Sequence, residues 1–78
     1  MVPPTVNRYK FFDIFQSTLS GYLVPRFDII INAVKWHKDT PIARGPIFGG
    51  LDLYTVSNKD IAGIWELSTK ELTIVGFY

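Results

Sequence analysis

The densest grouping of chemistry-bearing side chains lies between Arg26 and Arg44, where Arg26, Lys35, Trp36, His37, Lys38 and Arg44 interleave cations with an indole and an imidazole. Cations hold phosphates and an aromatic face stacks a base, so the grouping suits a nucleic-acid backbone. A cation beside His37 would also steady charge during RNA cleavage. Asp28 and Asp39 fall inside the same stretch and dilute it. His37 is the only histidine and there is no cysteine, so the chain lacks the ligands of a metal centre and none is expected.

Other patterns carry less. Gly45-Pro46-Ile47-Phe48-Gly49-Gly50 is rich in glycine but has neither the G-x-G-x-x-G spacing nor a Gly-Lys-Ser/Thr that would cradle phosphate, so it reads as tight turns before a strand. Ser17, Ser20, Ser57 and Ser68 stand in turn or capping contexts, with no nucleophile elbow. Asp52 and Glu66 would fall on neighbouring strands, but Glu66 reads as a solvent-facing charge next to Trp65 rather than a catalytic acid. The expectation is a non-enzymatic chain with no catalytic residue and no cofactor.

A chain of 78 residues supports one domain, residues 1–78, and buries only about 60% of the surface its unfolded form exposes. Without disulfides or a structural metal, stability must come from a dense aromatic core or from association. The composition suits both, with 47% hydrophobic and 15% aromatic residues against only 19% charged ones to keep the surface wet. Net charge is +1, which gives no global pull towards nucleic acid or anionic lipid. Locally, Arg26 to Arg44 is basic, and the stretch from Gly45 onward is acidic, with Asp52, Asp60, Glu66 and Glu71 against Lys59 and Lys70. No run approaches the ~18 apolar residues of a membrane span. The start has no basic region followed by an apolar one, and the absence of cysteine suits a cytoplasmic protein.

The elements that would position these residues follow from periodicity. Pro3 and Pro4 predict an extended start, and Thr5 or Asn7 then caps a helix to about Leu19 with Phe11, Ile14, Phe15 and Leu19 on one stripe. A strand from Tyr9 to Phe15 is the competing reading. From Pro25 to Lys38, the spacing of Phe27, Ile30, Ile31 and Val34, with Asp28 near one end and Lys35, His37 and Lys38 near the other, predicts a second helix. The three consecutive isoleucines and the alternation Phe27, Ile29, Ile31, Ala33 would serve a strand equally well. Ile42 to Gly50 reads as a loop anchored by Ile47 and Phe48. Leu51 to Tyr78 reads as three alternating strands with turns at Ser57-Asn58-Lys59-Asp60 and Ser68-Thr69-Lys70.

The predicted fold is therefore α+β, with one or two N-terminal helices packed on a three-stranded, at most four-stranded, antiparallel β-meander. One face of the meander carries Leu51, Leu53, Ile61, Trp65, Leu72 and Ile74; the other carries Tyr54, Val56, Ala62, Ile64, Val75 and Phe77. Both faces are substantially apolar, which points to a further layer or a partner surface. Tyr54, Trp65 and Phe77 are the candidate partner-binding residues, with Tyr78 as a further aromatic of the same patch. The expected function is a small binding or regulatory module acting through association with another copy or another protein. The alternative is a nucleic-acid-binding protein using Arg26 to Arg44.

The order helix, glycine-containing link, three-stranded meander resembles the C-terminal part of RelE/ParE-type toxins over about half the chain. That resemblance would imply an RNA-cleaving or nucleic-acid-directed protein. Those toxins are distinctly basic and line the sheet with Arg, Lys, His or Tyr, whereas this stretch is net acidic and offers only Tyr54 and Tyr78 as ring hydroxyls.

Overall fold

A computed structural model describes residues 5–78. It is a strand-rich fold built on two sheets. Strand β1 (Asn7–Tyr9) leads into a single helical turn α1 (Phe11–Ile14), then β2 (Phe15–Ser17), β3 (Leu23–Pro25), β4 (Asp28–Ile31) and β5 (Val34–Trp36). A 3-10 turn over Leu53–Val56 precedes β6 (Ile61–Glu66) and β7 (Glu71–Phe77). Five strands form a mixed sheet in the order β1-β6-β7-β4-β5, and β2 pairs with β3 in a separate two-stranded sheet.

This corrects the predicted helices on a meander. The long first helix is one turn, because only Phe11, Ile14 and Phe15 of its stripe are buried; Leu19 is fully exposed. The chain leaves helical geometry at Phe15 and forms a hairpin with β3 instead, closing through Gly21 at φ +85. The extended start expected at Pro3-Pro4 lies outside the described residues.

The second helix is a hairpin. Ile29, Ile30 and Ile31 are three branched side chains in a row, which crowd a helix and fit a pleated strand. Asn32 and Ala33 take φ 50 and 66, the left-handed pair that a two-residue hairpin turn requires. Asn32 helps hold it, its Nδ2 donating to the Phe48 carbonyl at 2.8 Å. Asp28, expected at a helix start, accepts instead from the Lys38 amide at 2.7 Å, tying the two ends of the hairpin together.

Of the expected three strands, the last two pair as an antiparallel hairpin, while the first is absent. Leu51 and Leu53 alternate as a strand would, but Asp52 caps a 3-10 turn by accepting from the Tyr54 amide at 3.0 Å, and Thr55 Oγ1 donates to the Asp52 carbonyl at 2.6 Å. The sheet is also mixed, since β4 runs parallel to β7, with Ile29 beside Leu72 and Ile31 beside Ile74.

The core lies between one face of the five-stranded sheet and the layer formed by α1, the β2–β3 hairpin and the segment Ile42 to Val56. Ile29, Ile31, Ile61, Leu72 and Ile74 enter from the sheet; Phe11, Ile14, Phe15, Leu23, Ile42, Phe48 and Leu53 enter from the cover. Phe11 and Phe15 stack with centroids 4.8 Å apart, and Phe48 meets Trp36 edge-on at 5.6 Å. Burying each such side chain contributes about 1.5–3 kcal/mol, and among the described residues no polar or charged side chain is buried with them.

Candidate functional site

The uncovered face of the five-stranded sheet is where the pleat sends the side chains that the core does not take. Burial alternates along β4, β6 and β7, with Ile29, Ile31, Ile61, Gly63, Leu72 and Ile74 buried and their neighbours not. Register places the others together: Ile64 is paired with Thr73, Thr73 with Ile30, and Ile30 with Lys35. Ala62 lies between Arg8 and Gly76 one row along. Val75 is the unpaired residue of the bulge between these rows and is 54% exposed. A Cβ built on Gly76 meets nothing within 4 Å, so the space above this part of the sheet is open.

Charges rim this apolar centre. Glu66, Glu71 and Asp28 share one row at one end of the face, and Arg8 stands near the other. Lys35 reaches across β4 to Glu71, Nζ to Oε2 at 2.7 Å. The hydrogen bond from Lys35, with a smaller one from Thr69, holds the Glu71 carboxyl below its usual range, and the same bond to Glu71 raises the Lys35 ammonium. Arg8 Nε lies 2.7 Å from Asp60 Oδ2, with its guanidinium over the Tyr78 ring.

The three aromatic candidates do not form one surface. Tyr54 is a staple of the cover: its hydroxyl donates to the Ile42 carbonyl and accepts from the Leu23 amide at 2.9 Å. Trp65 lies on the core side of β6, its ring edge-on to Phe27 at 5.1 Å. Phe77 lies on the core side too, because the bulge at Val75 shifts the register so that Phe77 pairs with Ile61. A shallow groove of about 200 Å³ runs past it, lined by Ile31, Asn32, Leu51, Ile74, Val75 and Gly76.

The basic candidates are likewise spread out. Lys35 is committed to Glu71 on the open face. His37 and Lys38 follow β5, with His37 Nδ1 4.0 Å from Asp28 and Trp36 Nε1 donating to the Thr40 carbonyl at 2.9 Å. Arg26 Nε donates to the Phe12 carbonyl at 3.3 Å, and the Arg44 guanidinium lies over the Tyr54 ring, 4.4 Å from its centroid, both in the covering layer. Aligned in sequence, they face different sides of the fold.

Flanking the Phe27–Trp65 pair are two clefts. One, about 460 Å³, is lined by Asn7, Tyr9, Asp13, Ile14, Phe27 and Trp65. The other, about 400 Å³, is lined by Phe27, Asp28, Lys38, Trp65, Thr69 and Lys70. Sequence reasoning singled out Trp65 and Lys38 but placed them on different sites. Phe27 was read as a helix residue, and nothing local to it announces that β6 will pass alongside.

No family model, curated protein or solved structure matches this chain. No described helix is long and apolar enough to cross a membrane.

Proposed function

We propose that this domain is a non-enzymatic association module, and that the open face of its five-stranded sheet seats a second copy of the same chain. The observation that carries the reading is the patch of Ile30, Ala62, Ile64 and Thr73 that the register brings together on a sheet whose other face is covered by the rest of the chain. A sheet with water on one face ordinarily alternates apolar with polar residues, and this one keeps branched apolar side chains on the wet side.

Its rim favours a copy of itself over an unrelated partner. Two such faces stacked about a two-fold axis that crosses the strands exchange their ends, so that Arg8 of one chain approaches the acidic row of Glu66, Glu71 and Asp28 of the other. Glu66 is the least committed of these carboxylates, accepting among the described residues only from its own turn at Ser68. A cytoplasmic setting belongs to the same proposal and rests on the cysteine-free sequence.

The test is the assembly state of the wild type beside Ile64→Lys, with the unfolding transition of each as a control for folding. Dissociation with the fold intact supports the reading; an unchanged assembly sinks it.

A further inference from the structure

The cleft between β1, α1 and the Phe27–Trp65 pair has the make-up of a ligand site on the opposite side of the sheet from the open face. Its volume, about 460 Å³, falls in the range of small-molecule pockets, which are mostly apolar with a few polar groups that orient the guest. The walls are Tyr9, Ile14, Phe27 and Trp65, and the polar groups are Asn7 and Asp13. Asp13 is the one charged side chain of the lining; it is exposed, it also borders a neighbouring cleft that carries Lys10 and Lys59, and its carboxylate makes no hydrogen bond or ion pair among the described residues. The lysines Lys38 and Lys70 line the separate cleft beyond the Phe27–Trp65 pair. The near side therefore offers aromatic rings and one anion, with no lining cation to answer it.

We propose that this cleft binds a small organic cation with an aromatic or apolar body, the body lying against Phe27 and Trp65 and the ammonium between Asp13 and the Tyr9 ring. Both features select the same charge: an aromatic face attracts a cation through its quadrupole, and an unpaired carboxylate attracts it by Coulomb's law. Phe27 and Trp65 meet edge-on, and both rings line the cleft.

The experiment compares protonated phenethylamine, 2-phenylethanol and 3-phenylpropionate, three probes of similar shape and different charge, followed by amide and indole NMR shifts. The amine is expected to shift the Trp65 indole and the β1 amides and to bind roughly two- to fivefold tighter than the alcohol, the ratio a cation–π contact at an accessible site gives. The propionate is expected to bind more weakly than either. Asp13→Asn should narrow the amine's advantage over the alcohol, leaving only the part the rings supply, and Phe27→Ala should weaken both; a dispersed amide spectrum shows that each variant is folded. Equal affinity for all three probes, shifts that map away from Trp65, no binding of the amine, or an amine preference undiminished in Asp13→Asn would each overturn the proposal. Because Asp13 and Phe27, the residues substituted, are not part of the open-face patch around Ile64, the result is separable from that of the self-association test.

Discussion

Lys35 and Glu71 are joined across an intervening strand: β5 and β7 both flank β4, and the 2.7 Å contact between ammonium and carboxylate spans it on the open face. It ties the antiparallel edge of the sheet to the parallel pair at its centre. Glu71 is held below its ordinary value of 4.5 chiefly by the hydrogen bond from Lys35, and Lys35 is raised above 10.5 by the same bond. For a depressed carboxylate, the unfolded chain binds protons at a higher pH than the folded one. The pair's stabilisation is therefore complete above the unfolded carboxylate value and is lost as pH falls through the folded one. At the alkaline end the sign reverses, and the contribution of Lys35 disappears as pH rises through its raised value. An NMR titration of the Glu71 carboxyl should give a midpoint below 4.5 that moves upward in Lys35→Met.

Tyr54 joins two segments of the cover through one oxygen. Tyr54→Phe keeps the ring and removes the bridge, leaving the buried Leu23 amide without its partner. The expected loss is about 1–3 kcal/mol, read from denaturant unfolding, since an orphaned buried donor costs its desolvation. Arg44 lies over the same ring, and Arg44→Ala should lower stability by no more than about 0.5–1 kcal/mol, the contribution of an exposed cation–π contact.

Ala33 sits at φ 66, where a Cβ crowds the following carbonyl. Ala33→Gly should relieve that strain at the cost of chain entropy, with a net gain of up to about 1 kcal/mol. The variant also restores Asn-Gly, the pair most suited to such a turn. A rise in melting temperature with an unchanged amide spectrum is the expected readout.

Two glycines on neighbouring strands should answer the same substitution in opposite ways. A Cβ at Gly63 would approach Leu72 Cδ1 to 2.9 Å and the Thr73 carbonyl oxygen to 3.3 Å, on the covered side of the sheet. Gly63→Ala should therefore destabilise by about 1–3 kcal/mol, the cost of overpacking. At Gly76 the added methyl meets open space, so Gly76→Ala should be neutral or gain a few tenths of a kcal/mol through reduced unfolded-chain entropy. Parallel thermal melts decide it.

How much of this was readable before folding differs from strand to strand. The β6–β7 hairpin announces itself through alternation from Ile61 to Glu66 and from Glu71 to Phe77 around Ser68-Thr69-Lys70. The β4–β5 hairpin does not, because Phe27, Ile30, Ile31 and Val34 also satisfy a helical stripe, and Asn32-Ala33 lacks the glycine that usually marks such a turn. Capping chemistry at Asp52 outweighed the alternation of Leu51 and Leu53. Ala62 and Ile64 were legible as part of a second apolar face, but Ile30 joins them only through the parallel pairing of β4 with β7, a contact between distant segments. The bulge at Val75 is a one-residue slip, and a slip of one residue turns every later side chain to the other face. That is why Phe77 belongs to the covered side. The role of Tyr54 depends on Leu23 and Ile42 being brought side by side, which no local pattern records.

Self-association through the open face is the central claim, and light scattering coupled to size exclusion over a concentration series tests it most directly. The account predicts that the wild type approaches twice the 8.9 kDa of a single chain as concentration rises, and that Ile64→Lys remains at the single-chain mass with its unfolding transition intact. A wild type that stays at the single-chain mass at every concentration, or an Ile64→Lys variant that assembles as the wild type does, would contradict it.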